Sequence, residues 1–150
     1  MKPRNAAYSS LCTLSRASLK ELLVESHVDL VNAASKDIMA EIILVARTGG
    51  ICGGTFLEDE AVDVIRRTKP NDFKPSMLID LEANRPIEVE VILGEIVRKA
   101  EEVGVSVPRL SASVMCCAFL AAHTHALHRL QVLYVSLKTI QSKLLANRKK

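Results

Sequence analysis

The 150-residue sequence has no tryptophan, and aromatic side chains make up only 3% of it. Its apolar residues, 49% of the chain, are mainly Leu, Val, Ile and Ala, a mix that favours helices over a β-sandwich. It also lacks a strong charge of either sign. With 20 basic against 17 acidic side chains the net charge is +3, which gives no electrostatic case for a nucleic-acid partner. No long hydrophobic run is present. The apolar part of its longest uncharged stretch, Val114 to Ala122, falls well short of the roughly 20 residues a membrane helix needs. No Cys-x-x-Cys pair occurs among Cys12, Cys52, Cys116 and Cys117, so a disulfide framework is not indicated. The polar N-terminus shows no signal peptide, and the chain reads as soluble and cytoplasmic. The apolar fraction excludes disorder for most of the chain, and the length suits one compact domain or one module of a larger protein.

What is present is helical periodicity. Val31, Ala34, Ile38, Ile42 and Val45 recur at spacings of three and four, with Asn32, Lys36, Glu41 and Arg47 elsewhere on the wheel. Asp29 is the expected N-cap, and Gly49 or Gly50 the stop. Thr55–Glu58 has the capping-box pattern for a short helix bearing Leu57, Ala61, Val64 and Ile65, closed by Pro70. Pro75–Ser76 opens another brief helix, which Pro86 limits. A long helix is expected over 87–103, with a stripe of Val89, Ile92, Ile96, Ala100 and Val103 and a Glu95–Lys99 pair. Leu130, Leu133, Leu137, Ile140 and Leu144 mark a last helix before a basic tail. The fold class is all-α.

Candidate chemistry is sparse. Four of the six glycines sit at 49, 50, 53 and 54, but they follow a helix and lack the Gly-x-Gly-x-x-Gly spacing of a phosphate cradle. A C-cap and tight link is the better reading. His123, His125 and His128 cluster, yet His123 points away from the other two on a helix, and no carboxylate or spaced thiol completes a shell. A metal site is therefore not expected. Cys116 and Cys117 have no basic neighbour to lower a thiol pKa and read as packing residues.

The informative stretch lies between Phe73 and Glu90. Ser76-Met77-Leu78, Asp80, Arg85 and Glu88-Val89-Glu90, followed by a helix ending at Gly104 before Val107-Pro108, resemble the substrate-domain signature of the ketopantoate reductase (2-dehydropantoate 2-reductase) family. Asn5 to Leu14 is similar to that family's Asn-containing helix, and the resemblance resumes at Leu133-Tyr134. It implies the helical C-terminal domain of the 6-phosphogluconate dehydrogenase C-terminal-like type, without the Rossmann domain. The full enzyme would reduce 2-dehydropantoate with NADPH in pantothenate and coenzyme A synthesis, with a Lys as general acid. Asn5 and Ser76 would then contact substrate, and Glu88 would hold the acidic position facing cofactor and substrate. Each also has a plain reading: Asn5 as a turn or cap residue, Ser76 as a helix N-cap, and Glu88 as a first-turn carboxylate favoured by the helix dipole.

Three departures accompany the resemblance. No Rossmann fingerprint is present; the general-acid Lys position falls on Met1, with Lys2 one place off and rotated by about 100° on a helix; and the family's second Asn is Ser9. Residues 111–130 read as an insertion. Arg109-Leu110 recurs as Arg129-Leu130, and excising one repeat with the intervening segment leaves a family-like join, as a translated short intron would. The expectation is an isolated or truncated domain, inactive alone, its partner a 2-keto acid and a homodimer left open. The rival reading is a non-catalytic helical interaction or dimerisation module.

Overall fold

The structure is a computed structural model and describes residues 3–50, 63 and 65–124. Within them the chain forms α1 (Pro3–Ser15), α2 (Leu19–Leu22), α3 (Val28–Thr48) and α4 (Ser76–Glu82). A π-helical turn (Glu90–Gly94) then runs into α5 (Glu95–Glu102), and α6 covers 108–124. There is no strand among the described residues, in agreement with the all-α reading.

Helix α1 is the hub. Pro3 suits a first helical position, where a missing N–H costs nothing, and the small residues Ala6, Ala7, Ser10 and Cys12 are fully buried. They let α3 and α4 pack close against it. On one side Ala6 and Ala7 join Ile38, Met39, Ile42 and Ile43 of α3, together with Met77, Leu93, Ala100 and Leu110. On the other, Tyr8 and Cys12 join Leu19, Leu22, Val31 and Leu78.

Helix α3 follows the sequence pattern closely. Val31, Ile38, Ile42 and Val45 are buried, Gly49 caps the C-terminus, and Gly50 takes φ +65°, the left-handed turn that suits glycine. At the N-terminus, however, His27 is the cap residue and Asp29 lies in the first turn, where a carboxylate complements the helix dipole instead of capping. Glu41, placed by periodicity on the polar face, is buried. It accepts hydrogen bonds from the Arg109 and Leu110 amides at 3.1 and 2.8 Å, so α3 caps the start of α6.

The long helix expected over 87–103 is interrupted. Glu90–Gly94 is π-helical, which shifts the register and brings Leu93 into the core. At Gly94 the Glu90 carboxylate folds over the space a Cβ would take, a contact the exposed Glu90 side chain can relieve by moving. Glu90 reaches Arg98 at 3.1 Å, and Arg98 also takes Glu95 at 2.7 Å. Since Arg98 occupies Glu95, Lys99 pairs with Glu102 rather than with the expected Glu95. Helix α4 ends at Glu82, because Asn84 adopts φ +54° and the Arg85 side chain folds back onto Asp80 at 2.6 Å. The expected Thr55–Glu58 capping box, with Leu57, Ala61 and Val64, lies outside the described residues; Ile65 packs on the core as anticipated.

Candidate functional site

A cleft of about 570 Å³ opens where α1, α4 and the π-helical turn meet. Arg4, Asn5, Tyr8 and Ser9 line it from α1, and the one-and-four spacing places them on a common face. Opposite stand Asn71, Phe73, Pro75 and Ser76, with Ile92 entering from the π-helical turn.

The wall formed by 71–75 is pinned by α2. The first amides of α2 have no partner inside the helix. Instead, the Leu19 amide donates to the Phe73 carbonyl at 3.0 Å and the Lys20 amide to the Asn71 carbonyl at 2.8 Å. The Asn71 side chain accepts from the Phe73 amide at 3.0 Å. Helix α2 is itself held by a capping box, in which Glu21 accepts from the Ser18 amide at 2.7 Å and the Ser18 hydroxyl accepts from the Glu21 amide at 3.4 Å. The Ser18 hydroxyl also donates to Glu21 at 2.7 Å. These hydrogen bonds from Ser18 hold the Glu21 carboxyl below its ordinary pKa.

Asn5 and Ser76, 71 positions apart in sequence, therefore face one cleft. The capping reading of Ser76 does not hold: Pro75 is the N-cap, Ser76 is the first helical residue, and no side chain caps this helix. Ser9 lines the same cleft. Among the described residues the Asn5 amide and the Ser76 hydroxyl have no hydrogen-bond partner. The Tyr8 hydroxyl is likewise buried and unpartnered.

Glu88 stands apart from this group. It is exposed and does not line the cleft, but its carbonyl accepts from the Ile92 amide at 3.0 Å, so it lies one turn before the residue that does. Met1 lies outside the described residues, as do His125 and His128. His123 is exposed and stacked on Phe119, with ring centroids 6.1 Å apart. No group of three or more His, Cys, Asp or Glu able to hold a metal occurs among the described residues. Burial pushes the Cys12 and Cys117 thiols up to about 11, with Cys116 adding to the effect on Cys117. No helix among the described residues is long and apolar enough to cross a membrane.

Sequence reasoning named none of Arg4, Tyr8 and Asn71 as site residues, and placed Ile92 in an apolar stripe. Arg4 and Tyr8 carried a usable signal, flanking Asn5 at helical spacing; Asn71 and Ile92 reach the cleft only through tertiary packing.

The family profile described as "Ketopantoate reductase PanE/ApbA C terminal" matches residues 4–119, a span that holds Asn5, Ser76 and Glu88 and runs into the 111–130 segment. A 2-dehydropantoate 2-reductase of Mycobacterium tuberculosis is 42% identical over 83 residues, which cover 53% of this chain and 27% of that protein. One from Nostoc sp. is 26% identical over 109 residues, 71% of this chain and 32% of the relative. The crystal structure of 2-dehydropantoate 2-reductase from Methylococcus capsulatus superposes with a TM-score of 0.66 at 30% identity, covering 81% of this chain and 40% of that one. The chain thus spans less than half the length of these relatives. It belongs to the ketopantoate reductase family, as the family's helical C-terminal domain.

Proposed function

We propose that this domain forms the substrate-binding wall of an NADPH-dependent 2-dehydropantoate 2-reductase. In the reaction, hydride adds to the C2 carbonyl carbon of the 2-keto acid and a proton goes to its oxygen, giving the 2-hydroxy acid. Asn5 and Ser76 supply hydrogen bonds that fix the substrate, and Glu88 stands at the cofactor-facing margin. The observation that carries this reading is the release of Ser76 from capping: Ser76 lines the cleft with Asn5, and its hydroxyl has no partner among the described residues. Polar groups aimed into a mostly apolar cleft orient a ligand.

The sequence holds no Gly-x-Gly-x-x-Gly dinucleotide fingerprint. The glycine run at 49–54 follows a helix and lacks the required spacing. Nor does the sequence place a Lys at the general-acid position, which falls on Met1. The hydride and proton transfers are therefore assigned to no residue here, and the 150 residues alone bind substrate without turning it over. A homodimer and a cytoplasmic setting belong to the same proposal; a ketopantoate reductase from Staphylococcus aureus described as dimeric shares the fold at 20% identity.

The test is a titration of the chain with 2-dehydropantoate, alongside an assay of NADPH oxidation. Saturable binding weakened by Asn5→Ala and by Ser76→Ala, with no oxidation, supports the reading. Binding indifferent to both substitutions, or turnover by the chain alone, overturns it.

A further inference from the structure

Among the described residues lining the cleft there is a single charged group. Arg4 is exposed, stands one position before Asn5 and one turn before Tyr8, and makes no ion pair among the described residues. Its neighbours on the cleft wall are Asn, Ser, Tyr and apolar side chains, so no fixed anion there competes for it. We infer that Arg4 anchors the carboxylate of the bound 2-keto acid, an inference that rests on the substrate-wall reading above. A guanidinium presents a planar fork matched to the two carboxylate oxygens. Holding that end of the ligand leaves the adjacent C2 carbonyl to the hydrogen bonds of Asn5 and Ser76. Arg4 is then a specificity residue, selecting acids over neutral ketones of the same shape.

The experiment compares 3-methyl-2-oxobutanoate with its methyl ester in titrations of the 150-residue chain, its Arg4→Met and Arg4→Lys variants, and Ser76→Ala. The expected result is preference for the acid in the unmodified chain. Arg4→Met reduces acid binding about tenfold or more, the loss of a charge-assisted contact, and lowers ester binding far less. Arg4→Lys restores part of the acid preference. Ser76→Ala weakens acid and ester alike. If Arg4→Met binds the acid as tightly as the unmodified chain while Ser76→Ala does not, the Arg4 assignment fails and the substrate-wall reading stands. If the unmodified chain binds neither compound, both fail.

A separate observation concerns α6, which buries Leu110 and packs Val114 on the core but departs from an amphipathic pattern after them. Its core-facing positions include Ser113, 7% exposed, and Cys117, fully buried, whereas Met115 and Phe119 are 72% and 74% exposed. An amphipathic helix places its large apolar groups the other way. Because Arg109-Leu110 recurs as Arg129-Leu130, removing 111–130 moves each later residue back by 20 places. Positions 113, 114, 117, 120 and 124, all buried or half-buried, then receive Leu133, Tyr134, Leu137, Ile140 and Leu144. The exposed positions 116, 118, 119, 122 and 123 receive Ser136, Lys138, Thr139, Ser142 and Lys143. The swap places apolar side chains at these inward positions and polar ones at most of the exposed ones, positions 112 and 115 receiving Val132 and Val135. We propose that the groove occupied by α6 is matched to the side chains of residues 131–144, and that 111–130 is an insertion.

Thermal melts of the full chain, the form lacking 111–130, and Ser113→Leu in the full chain test this. The shortened form is expected to melt about 5 °C or more above the full chain, a shift that a gain of one or two kcal/mol produces in a domain of this size. Ser113→Leu is expected to raise the midpoint by itself. A shortened form that melts at or below the full chain, or does not fold, overturns the proposal.

Discussion

Glu41 offers a sharp test of the packing described above. Glu41 is 8% exposed, and its carboxylate accepts hydrogen bonds from the Arg109 and Leu110 amides at 3.1 and 2.8 Å. Leu110 is fully buried, so water cannot readily replace the acceptor there. A hydrogen bond to a charged group contributes about 1.5–3 kcal/mol. Glu41→Ala removes two of them and leaves amides at a helix start without partners, so the expected loss is about 3 kcal/mol, the Leu110 bond counting fully and the partly solvated Arg109 bond in part. Glu41→Gln keeps one amide oxygen as acceptor and is expected to lose about half of that. The Arg109 guanidinium also approaches Glu41 at 3.6 Å and Asp37 at 3.0 Å, but it is 57% exposed, and pairs of that kind contribute under about 1 kcal/mol. Arg109→Ala should therefore cost far less than Glu41→Ala. Equilibrium unfolding in guanidinium chloride, with slopes compared across the variants, reads these differences. If Arg109→Ala matched Glu41→Ala, the ion pair rather than the helix cap would be the source of the stability. A Glu41→Ala loss below about 1 kcal/mol would refute the capping argument.

Other expectations follow from the same geometry. Iodoacetamide at pH 8 should modify exposed Cys116 while sparing Cys12 and Cys117, whose thiols sit at about 11; mass spectrometry of digests would show it, and labelling of Cys12 in the folded chain would contradict the packing. The Glu21 carboxyl is held below its ordinary value by its hydrogen bonds to Ser18, so the unfolded chain takes up that proton first on acidification. The contribution of the capping box is then complete above the ordinary carboxylate range and is lost as the pH falls below that range and through the lowered folded-state value. Glu21→Gln should flatten the acid side of a stability–pH curve, and an unchanged slope would count against the cap.

The sequence made parts of this molecule readable and hid others for physical reasons. Helix α3 was legible because 21 residues give enough turns for a buried stripe to repeat, and Gly49–Gly50 mark its end. Glu41 was not, because its partner amides lie nearly 70 positions away and a periodic pattern assigns a lone carboxylate to solvent. The π-helical turn escaped for a related reason: Val89, Ile92 and Ile96 fit ordinary helical spacing, and only tertiary packing chooses the register that buries Leu93. Helix α2, at four residues, is too short to show a period, although Ser18-Leu-Lys-Glu21 spells a capping box. At the cleft, local rules made Ser76 a cap. Pro75, already fixed in an extended conformation, takes that place and frees the hydroxyl. That Asn5 and Ser76 meet followed from the family resemblance and from no local pattern.

The central claim is that Asn5 and Ser76 share one ligand site. The direct measurement is amide-resolved NMR of the isotope-labelled chain during titration with 2-dehydropantoate. Saturable shifts at the Asn5 side-chain amide and at the Ser76 backbone, following one binding curve and absent from the α3–α6 contact at Glu41 and Arg109, are the predicted result. Shifts confined to another surface, or none at saturating ligand, would contradict the account.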